Sequence, residues 1–122
     1  MSATLTSTAD LLDARCIRAH DALDADAVAR LLPLVPGWSV ENGRLCRGFG
    51  FKNHHHTMAF VNALAWISHT EDHHPELTVT YKNCVARYDT HSVNAGAGGL
   101  SQNDFICAAK ASALFDQAQG AA

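Results

Sequence analysis

The dipeptide Asn42-Gly43 is the feature that most narrows what this chain can fold into. A two-residue type I′ turn needs positive φ at both central positions, and Asn followed by Gly meets that demand at the lowest steric cost. Short β-compatible runs flank it, residues 38–41 and 45–51, so the spacing predicts a hairpin. Gly48 and Gly50 weaken the second run and point to a bulge there.

A lone hairpin is marginal in water, so other segments must cover its apolar face. Val28, Leu31, Leu32 and Val35 recur at helical spacing behind candidate caps at Asp24 and Asp26, and Pro36-Gly37 ends that helix. Asn53 caps a second helix that runs to about His69, with Met58, Phe60, Val61, Leu64, Ala65 and Ile67 on a broad apolar face. After Pro75 the period shortens to two. Leu77, Val79 and Tyr81 alternate with Thr78, Thr80 and Lys82, and residues 84–90 continue as a strand, with the turn assigned to Lys82-Asn83. Tyr81 is thereby assigned to the core. Residues 94–99 hold three glycines and read as a flexible connector. Ser101, with Asp104 three residues on, opens a third helix whose apolar face is Phe105, Ile106, Ala109, Ala113 and Leu114. The expected fold is α+β, a four-stranded antiparallel sheet with three helices packed on one face, in the order α-β-β-α-β-β-α. Residues 22–120 are expected to form one domain, and residues 1–21 a poorly ordered lead-in. Trp38 and Trp66 are read as core or interface aromatics.

Charge and cysteine usage narrow the partners. Charged residues are 17% of the chain and the formal net charge is -3, with no basic face for a nucleic-acid backbone. No apolar run reaches membrane-spanning length, and Asp10, Asp13 and Arg15 interrupt any secretory core. Cys16, Cys46, Cys84 and Cys107 are scattered, without a C-x-x-C pair, which is the usage of reduced thiols. The expectation is a cytoplasmic protein that binds neither nucleic acid nor membrane.

The chemistry concentrates in His69-Thr70-Glu71-Asp72-His73-His74-Pro75. A second hairpin turning on Lys82-Asn83 sets His74 opposite His91 and His73 opposite Ser92, with Glu71 and Asp72 at the rim. Two chemistries are then open. His69 and His73 stand at i, i+4 and could join His91 on a metal, but Pro75 draws the residues before it out of the helix, and no H-E-x-x-H signature is present. Neighbouring imidazoles can also split into a proton donor and a proton acceptor near neutral pH without any metal, the preferred reading. His54, His55 and His56 point about 100° apart on a helix and cannot converge, so they read as a solvated first turn.

These residues carry a resemblance. His69, His73-His74-Pro75, Tyr81, His91 and Asp104, in that order and spacing, resemble the pterin-4a-carbinolamine (4a-hydroxytetrahydrobiopterin) dehydratase family, and Ala59-Phe60-Val61-Asn62 and Asn103-Asp104-Phe105-Ile106 resemble its bacterial members. The resemblance spans about residues 31–114. It implies the same fold and a reaction, loss of water from 4a-hydroxytetrahydrobiopterin to give quinonoid dihydropterin, with no cofactor and no metal. It implies His73, His74 and His91 as the catalytic set, and pterin contacts from His73, His74, Pro75, Thr90, His91, Ser92 and Val93. His69, Glu71 and Asp72 take supporting roles, and Asp104 fits helix capping better than proton transfer. It further implies a homo-oligomer, dimer or tetramer, and recycling of pterin for aromatic amino-acid hydroxylases such as phenylalanine hydroxylase. Three features depart from the family pattern: His69 where many members carry Glu, Leu77 where animal members carry Trp, and a longer loop at residues 94–99. Two alternatives stay open. One is a non-catalytic family scaffold serving as a protein-binding or dimerisation module, as animal members do for a homeodomain transcription factor. The other is a histidine-cluster metal-binding protein. Retention of all three histidines favours the enzyme.

Overall fold

The computed structural model describes residues 5–120, with side chains to residue 118. Asn42 and Gly43 both take positive φ, 53° and 75°, and close β1 (Ser39–Glu41) onto β2 (Arg44–Gly50) as the turn chemistry requires. The expected bulge is absent. β2 pairs with β4 (Asn83–Tyr88) in unbroken register from Leu45 opposite Tyr88 to Gly50 opposite Asn83, so its glycines are absorbed without an extra residue. β3 (Glu76–Val79) pairs with the other edge of β4, and the antiparallel sheet has the order β1-β2-β4-β3.

The second hairpin corrects an expectation. Its turn centres on Tyr81-Lys82, because Leu77 faces Ala86, Val79 faces Cys84, and the Thr80 N–H bonds the Asn83 carbonyl at 2.8 Å. Asn83 is therefore not a turn residue. The central ladder takes it as the partner of Gly50, and the Phe51 N–H bonds the neighbouring Lys82 carbonyl. Two competing uses of Asn83 were available, and long-range pairing outweighed its local turn preference. Because the slip is two residues, the faces are kept, but the pairings His74–His91 and His73–Ser92 do not form.

One face of the sheet is apolar: Leu45, Phe49, Cys84, Ala86 and Tyr88 are buried along it. Against it lie α3 (His54–Glu71) and α4 (Gln102–Gly120), while α2 (Ala25–Leu31) adds Leu31 to the same core. Phe49 and Phe60 are buried in it, and the partly buried Phe51 and Phe115 pack against them, with ring centroids 4.8–6.2 Å apart. The caps are those the sequence offers, Asp24 on the Ala27 N–H and Asn53 on the His56 N–H, each at 2.8 Å. The opposite face is open and carries Arg44 and Arg87 around the Glu76 carboxylate at 3.3 and 3.7 Å.

Three placements differ from expectation. Of the expected lead-in, residues 1–4 lie outside the described residues, and the described part is packed: α1 (Thr8–Asp13) lies on α4 and buries Leu11 completely. Tyr81 is 65% exposed in the turn, stacked on His54 rather than in the core. The 94–99 loop is tied down, since Thr90 and Gly99 exchange backbone hydrogen bonds at 2.8 and 3.2 Å. Among the described residues, no helix is long and apolar enough to cross a membrane.

Candidate active site

α3 must stop before His73 can leave it, and Asp72 is the stop. Asp72 takes the left-handed conformation (φ 50°, ψ 43°), a region that Asp tolerates better than most side chains. The His73 N–H then reaches back to the Ser68 carbonyl at 3.2 Å and closes the last turn. His73 is carried inward by this reversal. Its ring stacks on Tyr88 at 5.8 Å and 11°, and its side chain is only 11% exposed.

The first turn of α4 meets it there. His73 Nε2 lies 2.6 Å from Asp104 Oδ1, and Asp104 is fully buried. Asp104 Oδ2 accepts from the Thr90 hydroxyl and the Ser101 N–H, both at 2.9 Å. A carboxylate can only accept, so Nε2 of His73 is the nitrogen that carries hydrogen in this contact, and the neutral form of the ring in this tautomer keeps its lone pair on Nδ1. The capping reading of Asp104 holds, and it is half the story: one oxygen caps α4 and the other orients the histidine.

A cleft of about 570 Å³ opens over this pair, lined by His73, His74, Asp89, Thr90, His91 and Ser92. Cys16, Ile17, Arg18 and Ala19 line it as well, with Glu71, Asp72 and Asn103. So His73, His74 and His91 do share one site, though not through strand pairing. His91 comes from the segment beyond β4 that the Thr90–Gly99 bridge holds; its side chain is 89% exposed, with Nε2 3.9 Å from Asp89. Of the expected pterin contacts, Pro75 and Val93 stand outside the lining; Val93 is fully buried and Pro75 starts the path into β3.

The supporting residues part company. His69 is exposed beside Trp66 on α3, away from the cleft, and His54, His55 and His56 do not line it either. Asp72 lines it as an exposed side chain. Glu71, expected to be a rim carboxylate, is buried and takes the Cys16 N–H at 2.8 Å, Arg15 Nε at 3.0 Å and Lys110 Nζ at 3.1 Å. Burial alone would raise its carboxyl; the Cys16 N–H, Lys110 and Arg15 together hold it below the ordinary value. Among the described residues, no three His, Cys, Asp or Glu side chains converge as a metal-ion cage.

Sequence reasoning missed Tyr88, the lining from residues 16–19, and Asn103. Tyr88 was legible as the third inward residue of the Cys84, Ala86, Tyr88 alternation. Asn103 stands in the Asn103-Asp104-Phe105-Ile106 stretch that carries the resemblance, without a role of its own there, and nothing local in the sequence marks residues 16–19.

The fold and this cleft define a class of α+β proteins with a histidine pocket beside an antiparallel sheet. The sequence model described as pterin 4 alpha carbinolamine dehydratase matches residues 21–114, and the chain belongs to that family, a family of hydro-lyases. Among relatives provisionally named pterin-4-alpha-carbinolamine dehydratase, one from Bdellovibrio bacteriovorus is 48% identical over 90% of this chain and 92% of its own. Another, from Stenotrophomonas maltophilia, is 54% identical over 88% of this chain and 93% of its own. A crystal structure of a transcriptional coactivator/pterin dehydratase from Brucella melitensis superposes with a TM-score of 0.70 at 27% identity, covering 78% of this chain and 99% of its own.

Proposed function

We propose that this protein dehydrates 4a-hydroxytetrahydrobiopterin to quinonoid dihydropterin through two histidines. The observation that carries the assignment of roles is the short His73–Asp104 contact, 2.6 Å long and closed off from water on the carboxylate side. His73, with Nε2–H given to Asp104, takes the N5 proton on Nδ1. His91, open to solvent, gives a proton to the 4a-hydroxyl. The C4a–O bond breaks, water leaves, and the electrons of the N5–H bond form C4a=N5. One histidine gains a proton and the other loses one, so the pair is reset by exchange with solvent. His74, exposed beside them, orients the pterin with Thr90 and Ser92. A positioned general acid or base contributes on the order of 10²–10⁴ in rate.

The same reading includes recycling of pterin for an aromatic amino-acid hydroxylase such as phenylalanine hydroxylase, in the cytoplasm. It also includes a homo-oligomer, for which the outer edges of β1 and β3, unpaired among the described residues, leave room. The test replaces His73 and His91 singly by Ala and measures carbinolamine dehydration. Each loss should be on the order of a hundredfold or more; full rate in both variants removes the assignment.

A further inference from the structure

Residues 14–20 have no regular secondary structure, yet they are fastened along their length. Arg15 reaches Glu71 and the Thr70 carbonyl, and the Cys16 N–H reaches Glu71. Ile17 gives its N–H to Asn103 Oδ1 at 3.1 Å and receives Asn103 Nδ2–H on its carbonyl at 2.6 Å. The Ser92 hydroxyl bonds the Ala19 carbonyl at 2.7 Å. The fastened stretch supplies Cys16, Ile17, Arg18 and Ala19 to the cleft that His73, His74 and His91 also line. It lies ahead of residues 21–114, the part matched to the family.

Asn103 is suited to this task in a way its neighbours in side-chain chemistry are not. It is 7% exposed, and its amide offers one donor and one acceptor to the two backbone groups of one residue. An aspartate there keeps the acceptor but sets an oxygen against the Ile17 carbonyl. Asn103 also adjoins Asp104, so consecutive residues in the first turn of α4 hold Ile17 and His73, two of the residues that line the cleft.

We infer that residues 16–19 form a substrate-binding wall of this pocket, and that Asn103 and Glu71 are positioning residues that set its affinity for pterin without taking part in proton transfer. The inference rests on the dehydratase reading. The wall bounds the same cleft as His73 and His91, so it governs how tightly the pterin is held, and releasing it costs binding.

The probe is 7,8-dihydrobiopterin, titrated by fluorescence, alongside steady-state dehydration and trypsin cleavage after Arg18. Asn103→Asp should bind the probe about tenfold more weakly, the loss of one to two hydrogen bonds. Its KM should rise in step, with kcat within about twofold and an unchanged pH profile. Trypsin should cut after Arg18 faster than in the wild type. Arg15→Ala loosens the other end through a side chain that is 68% exposed, and should weaken binding about threefold; it decides the matter if Asn103→Asp does not fold. Wild-type affinity in a variant whose Arg18 is rapidly cut overturns the proposal. So does a fall in kcat with an altered pH profile, which would mean that Asn103 acts through Asp104 on His73. A wild-type protein that neither binds the probe nor turns over the carbinolamine sinks the dehydratase reading itself, and this proposal with it.

Discussion

Asp104→Asn is the substitution that separates orientation from mere presence of His73. The two side chains have nearly the same shape, so the buried site keeps its volume. Of the three donors aimed at Asp104, two share Oδ2 and one uses Oδ1. The amide oxygen of Asn can serve the Thr90 hydroxyl and the Ser101 N–H, and its NH₂ then faces His73 Nε2. Two donors now oppose each other across 2.6 Å. His73 either swings away or moves its hydrogen to Nδ1, the atom needed free for N5. A hydrogen bond to a charged group is worth about 1.5–3 kcal/mol. At about 1.4 kcal/mol per factor of ten, kcat should fall about 10- to 100-fold while KM changes little. The assay generates the carbinolamine in situ and follows quinonoid dihydropterin in the ultraviolet, with thermal unfolding measured beside it. A folded Asp104→Asn protein that keeps kcat within about twofold of wild type refutes the claim that Asp104 orients a proton-accepting His73.

Three more outcomes are expected. Tyr88→Phe removes a buried hydroxyl that has no hydrogen-bond partner among the described residues, and should leave thermal stability unchanged or raise it by about 1 kcal/mol; a drop of that size would reveal a partner. Glu71 has a folded pKa below its ordinary 4.5, so it stabilises the fold above that pH, and the contribution is lost as pH falls through the depressed folded value. Stability curves below pH 5 should therefore be flatter for Glu71→Gln than for the wild type, and parallel curves would contradict the clasp. Gly43→Ala places a side chain at φ 75° in a turn that depends on positive φ, and should cost about 1 kcal/mol in denaturant unfolding.

What could be read from the sequence was whatever local chemistry decides. Asn42-Gly43, the Asp24 and Asn53 caps and the Ser101–Asp104 capping pair all act within four residues, and all appear in the fold. The three histidines were legible as one site, but for a reason that did not hold. They meet because a helix ends at Asp72 and a bridge closes at Thr90–Gly99, not because strands pair them. Asn83 shows the limit: its local preference points to the turn, but the β2 ladder takes it as the partner of Gly50 and the turn falls on Tyr81-Lys82. Glu71 shows it more sharply. Its burial depends on Cys16, 55 residues earlier, and Lys110, 39 residues later, and no pattern near residue 71 carries that information.

The first turn of α4 also sets the order in which the molecule can be completed during synthesis. Ile17 waits for a partner 86 residues further along the chain, and His73 for one 31 residues further. Both partners sit at the start of the last helix, so a nascent chain can carry every histidine and still have no pocket. Until that helix arrives, the inward faces of Phe49 and Tyr88 lack part of their cover, which makes the unfinished chain a target for chaperones and proteases. A chain that ends before residue 101 therefore lacks both the carboxylate that holds His73 and the amide that holds Ile17.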